Sequence, residues 1–140
     1  MKSLFTVVSI LALSLGAFAQ TSSEWTLIEN KNGVKIYQKD EVCSHEVGTI
    51  MKSRIFKFEN TTNSVKNVSF RLGAYYGSDE CATCNNSEYD RKFAIAPNSS
   101  VQGACFDPNL DKYTVFIRYE NEKNFNPDLS RVEFRNLTVN

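Results

Sequence analysis

The most specific chemistry in this 140-residue chain belongs to four cysteines, Cys43, Cys81, Cys84 and Cys105. Cys81 and Cys84 stand three apart in DECATCNNSE, a polar stretch built like a turn. C-x-x-C spacing suits half of a four-thiolate zinc site, a redox pair or a disulfide. A redox pair wants a thiolate at a helix N-terminus, and ECATCNN offers none. Compartment decides between the other two. The chain opens MKSLFTVVSILALSLGAFAQ, with Lys2 as a positive start, an apolar run from Leu4 to Leu15, and the small-x-small pattern Ala17-Phe18-Ala19. These are the three parts of a secretory signal peptide, expected to span 1–19 and to leave Gln20 as the mature start. Export through an oxidising space and an even cysteine count favour disulfides, so neither a metal nor any other cofactor is expected.

The remaining reactive side chains form no catalytic constellation. His45 is the single histidine, and neither a triad nor a mixed zinc site is built from one imidazole alone. Asp107-Pro108-Asn109-Leu110-Asp111 imitates the start of a calcium loop, but Lys112 replaces the glycine of the sharp turn and Arg118 replaces the bidentate glutamate. Asp79-Glu80 and Glu120-Glu122 are acidic neighbours without a sign that either pair spans a cleft. An enzyme is therefore not expected, with a small hydrolase of unseen site as the least favoured reading. The 16 basic and 16 acidic residues balance, which argues against nucleic acid and anionic membranes as partners. The leader's apolar run of 12 residues falls short of the roughly 20 of a spanning helix, so no membrane span is expected.

Strands must position these residues. Trp25 to Glu29 and Val34 to Tyr37 flank Asn32-Gly33, the strongest short hairpin signal. Thr49 to Glu59 is rich in β-branched and aromatic residues and stops at the polar run Asn60 to Ser64. Val68, Phe70, Leu72, Ala74 and Tyr76 then share one face, and Tyr89, Phe93 and Ile95 another, as do Tyr113, Val115, Ile117 and Tyr119. Val132 and Phe134 have the opposite parity to Leu137 and Val139, so a bulge near Arg135-Asn136 or a strand covered on both faces is expected. Apolar residues never hold a helical spacing beyond a turn. About seven strands at intervals near ten residues predict an all-β sandwich, as one domain over 20–140. Tyr75, Phe116 and Phe125 fall off the core parities and are the expected exposed aromatics. Five sequons begin at Asn60, Asn67, Asn85, Asn98 and Asn136.

IFKFENTTNSVKNVSFRL, RKFAIAPNSSVQG, YTVFIRY and RVEFRNLTV resemble the strand-turn-strand order of the immunoglobulin-like or fibronectin type III-like domains of small secreted bacterial proteins. The likeness covers about Ile50 to Val139 and implies a fold, not a site. WTLIENKNGVKIYQK is similar to the first strands of lipid-binding START domains, which continue into helices, whereas this sequence continues into strands. In such a sandwich, alternating strand direction brings all four cysteines to one pole. The preferred pairing is Cys43 with Cys105 and Cys81 with Cys84; bridges from Cys43 to Cys81 or Cys84 fit nearly as well. The expected function is a secreted or periplasmic non-enzymatic module, protein-binding or structural, whose contact loops at that pole carry Asn85, Asn86 and Asn109. The alternative is a carbohydrate-binding module, which needs Tyr75, Phe116 and Phe125 aligned on one open face.

Overall fold

The computed structural model describes residues 24–77, 79–121 and 127–140. The expected signal peptide and Phe125 lie outside the described residues.

Asn32 and Gly33 both take positive φ, 48° and 82°, the requirement of a tight primed turn. They join β1 (Thr26–Lys31) to β2 (Val34–Ser44). β3 (Ile50–Asn60) pairs with β2 along its whole length, from Ser44 opposite Ile50 to Val34 opposite Asn60. The chain then crosses to a second sheet with β4 (Lys66–Tyr76) and its hairpin partner β5 (Asp90–Ile95). It returns as β6 (Ser100–Gln102) and β7 (Thr114–Tyr119), which line the other edge of β3 end to end. β8 (Leu129–Val139) closes the series beside β4. The result is two antiparallel sheets, β1-β2-β3 with β6 and β7, and β5-β4-β8. The all-β expectation holds. About seven strands are expected and eight are described, with β6 and β7 separated by residues 103–113.

Side-chain parity separates the faces. In β2 and β3 the even residues Val34, Ile36, Phe56 and Phe58 are buried, and in β4 so are Val68, Phe70, Leu72 and Ala74. These meet as one cluster with Ile95, Tyr113, Val115, Ile117 and Val139. Phe58 is its centre, with ring centroids of Phe70, Phe93, Tyr113 and Phe134 at 5.6, 5.1, 6.0 and 5.9 Å. Removing such a ring costs both transfer energy and a cavity, about 3–5 kcal/mol in all.

The parity change of the last strand is a bulge. Arg71 faces Arg135 and Ser69 faces Thr138, so Asn136 and Leu137 together oppose Phe70. Asn136 takes φ 54° there. That extra residue returns Leu137 and Val139 to the core face.

Asn60 is the principal buried polar anchor of the core's upper end. Its amide donates to the carbonyls of Ser64, Ile95 and Ala96 at 2.8, 3.2 and 3.0 Å, while its Oδ1 accepts from Thr62 N and Thr62 Oγ1. One side chain thereby ties the end of β3 to the end of β5. A buried amide in this position costs little because its hydrogen-bonding capacity is used.

Candidate functional site

Cys43 is bonded to Cys105, 62 positions away, and Cys81 to Cys84, each with Cα atoms 5.5 Å apart. The four cysteines lie toward one end of the sandwich, with Cys43 opposite Met51 near the start of β3 and Cys81 opposite Tyr75 near the end of β4, but they do not converge. Cys43 has the parity of Ser53 and Ile55 across the β2–β3 ladder, the face opposite Phe56 and Phe58. Cys105 belongs to the excursion between β6 and β7, so the bond ties that excursion to the outer face, where Ser53 and Ile55 are buried. Gly103 starts the excursion where an added Cβ would come within 2.8 Å of the Tyr113 carbonyl. The Cys81–Cys84 ring lies instead on the outer face of the other sheet, where a Cβ on Gly73 would meet Cys84 Sγ at 3.1 Å. The two bonds therefore flank the sandwich on opposite faces. Alternating strand direction fixes which end of a strand a residue occupies, and the sheet to which that strand belongs is a separate matter. Among the described residues no three His, Cys, Asp or Glu side chains group as metal ligands.

The short ring has an architectural task. β5 pairs with β4 only as far as Arg71 opposite Asp90, leaving the edge of Leu72 to Tyr76 open. Ala82 N donates to Ala74 O, and Thr83 Oγ1 donates to Leu72 O at 2.6 Å while accepting from Ala74 N at 2.8 Å. A loop with one hydroxyl thus stands in for a strand. Arg71 holds it down, forking onto Asp90 at 2.6 and 2.8 Å and donating to Cys84 O at 3.1 Å. That fork holds the Asp90 carboxyl below its ordinary range.

Tyr75 is also corrected. It faces outward as its parity says, yet it is only 6% exposed. The Arg131 guanidinium lies 3.8 Å from its ring centroid, and its hydroxyl donates to Glu133 at 2.8 Å, a bond that raises the Tyr75 pKa. Phe116 is half-buried against Tyr119 on the first sheet. The two rings described belong to different sheets and make no row. Trp25 and Tyr37, on the outer face of the first sheet, carry the ammonium of Lys57 at 5.0 and 4.4 Å from their centroids. His45 is exposed and packs edge-on against Phe106.

Asn85, Asn86 and Asn109 are exposed. Asn86 Oδ1 accepts from Glu88 N at 2.9 Å to start a single 3-10 turn, Ser87–Tyr89. Asn109 N donates to Asp107 Oδ1 at 2.9 Å ahead of a second such turn, Asp111–Tyr113. Arg91 donates to Glu88 O and to Lys112 O, so one guanidinium links the two loops.

A large concavity lies where no motif pointed, a groove of about 1040 Å³ between β1 and β8. Its walls are Ile28, Glu29 and Lys31 on one side and Ser130 to Leu137 on the other, with Gln38 and Arg54 at the floor. It is bridged at one end by Lys31 Nζ to Leu137 O at 2.7 Å and Asn32 Nδ2 to Val139 O at 2.8 Å. Gln38, Asp40 and Arg54 share the parity of Phe56 and Phe58, so polar residues occupy the inward face beyond the aromatic cluster. Asp40 holds Arg54 there in a bidentate pair of 2.7 and 3.1 Å. The one sequence sign of this opening is Leu27-Ile28, two consecutive apolar residues on a strand that is exposed throughout.

Among the described residues no helix is long and apolar enough to cross a membrane. No protein-family model, curated protein or solved structure matches the chain.

Proposed function

We propose that this chain is a secreted or periplasmic, non-enzymatic binding module with an immunoglobulin-like strand arrangement, and that it engages a protein partner through its open side. The leader sequence and the two disulfides support the compartment. The strand pairing supports the arrangement: β3 with β7 in one sheet, β4 with β8 in the other, and the chain crossing between sheets from β3 to β4, from β5 to β6 and from β7 to β8. The groove between β1 and β8 carries the functional reading. It joins half-buried apolar side chains, charged rims and two strand edges, a mixture that suits a polypeptide better than a small apolar ligand.

Site-specific photo-cross-linking tests this. A cross-linking residue at Ile28 is expected to capture one protein from the native envelope fraction, displaced by excess unlabelled chain. The same residue at Asn86, in the exposed loop near Cys84, is expected to capture none. Capture from Asn86 alone moves the contact to the loops, and capture from neither removes the protein-binding reading.

A further inference from the structure

The groove has the geometry of a missing strand. Asn67 and Asn140 exchange both backbone hydrogen bonds across the β4–β8 ladder. In an antiparallel pair this alternates, so the odd residues of β4 point their amides at β8. Its even residues point the other way, as the bonds of Ala74 to Ala82 and Thr83 confirm. The partners of those even residues, Val132 opposite Ala74 and Phe134 opposite Leu72, therefore turn their own N–H and C=O groups into the groove. No strand among the described residues pairs with that edge. At the bridged end the same edge is used: Leu137 O and Val139 O accept from Lys31 and Asn32. The side chains of Val132, Phe134 and Leu137 are only half-buried, and Ile28 across the gap is 38% exposed.

We infer, building on the proposed function, that the occupant is an extended segment of the partner protein, which adds to β8 as a fourth strand of the second sheet and hydrogen-bonds to Val132 and Phe134. Its alternate side chains are apolar, closing over Ile28, Val132, Phe134 and Leu137, as strand addition requires. The intervening side chains are enriched in carboxylates. The lining holds four cations, Lys31, Arg54, Arg131 and Arg135, against two anions, Glu29 and Glu133. Arg54 is paired with Asp40 and Arg131 with Glu133, which leaves Lys31, bonded to the Leu137 carbonyl, and Arg135 against Glu29, a balance of one positive charge that favours an acidic group at the rim.

The test uses the full mature chain and a displayed library of random nonapeptides as the probe, so that no single sequence is presupposed. Selected peptides are expected to alternate apolar residues with Asp or Glu. Bound peptide is expected to slow amide exchange at Val132 and Phe134 at least about tenfold, and N-methylation of the peptide amides facing β8 is expected to weaken binding by about tenfold or more. Val132→Pro removes a groove-facing donor without touching the β4 ladder and is expected to have the same effect; the exchange measurement on the unaltered chain stands if that variant does not fold. Selected peptides that leave both amides unprotected, or a library that yields no binder, overturn strand addition. A partner cross-linked at Ile28 in that case leaves the proposed function standing and rejects only the mode.

Discussion

The two long sides of this sandwich solve the same problem differently. On the side where β5 faces β6 and β7, the gap between sheets is filled by Phe58, Phe93 and Tyr113, and Phe93 and Tyr113 meet edge to face at 4.9 Å. Arg91 then straps β5 to the loop before β7 through Lys112 O. On the other side, two side chains bridge β1 to β8 at one end, and a groove lies between the two strands. The difference teaches that closure here is a matter of which residues the connections deliver. The excursion between β6 and β7 returns Leu110 and Tyr113 to the core on the first side; nothing among the described residues does so on the second.

Five variants sharpen or break that contrast. The largest effect is expected on the closed side: Phe58→Ala should destabilise by about 3–5 kcal/mol in a denaturant titration, and a loss under about 1 kcal/mol would mean the aromatic cluster is not the stabilising centre. Next comes Cys43→Ser with Cys105→Ser, expected to cost about 2–4 kcal/mol through the long loop that the bond closes. Cys81→Ser with Cys84→Ser should cost less, because that ring is four residues and Thr83, Ala82 and Arg71 still hold the loop; equal losses would make the short bond structural in its own right. Smaller again is the strap on the outer face. Asp90 is depressed by Arg71, so its contribution is present above the ordinary carboxylate pKa of about 3.9 and is lost as pH falls through the lowered value. Asp90→Asn should therefore differ from the parent at pH 7 and converge with it in acid, and a gap that is constant with pH would assign the effect to packing. Last, Ile28→Ser should shift the unfolding midpoint within the usual surface range of about 0.5 kcal/mol while weakening binding of the selected nonapeptides; a large loss of stability would show the groove to be part of the core.

Much of the fold was written in alternation. Val68 to Ala74 and Tyr113 to Ile117 announced their buried faces, Asn32-Gly33 announced its turn, and the parity slip before Leu137 announced a bulge. The preferred cysteine pairing also matches the bonds, and the shared end follows from strand direction, but the cysteines sit on opposite faces, because direction fixes an end and not a sheet. Tyr75 shows the same limit from another side. Its outward parity was right, yet an outer face covered by a disulfide loop is as buried as a core. The groove was invisible for a different reason: whether two edges meet depends on strand order and twist, and no residue of β1 or β8 encodes that locally beyond the exposed pair Leu27-Ile28.

Asn60 has a practical corollary. Asn60-Thr61-Thr62 is a sequon, and of the five its asparagine alone is buried, 1% exposed with its amide bonded to three carbonyls. Asn67, Asn85, Asn98 and Asn136 are exposed and have room for a sugar. A glycan attached to Asn60 as the chain emerges would replace an amide hydrogen and demand space where β3 meets β5, so the folded state and that modification exclude each other. Production in a eukaryotic secretory host therefore sets a race between sugar transfer and folding at one nitrogen, and cytosol-to-periplasm export in bacteria avoids it.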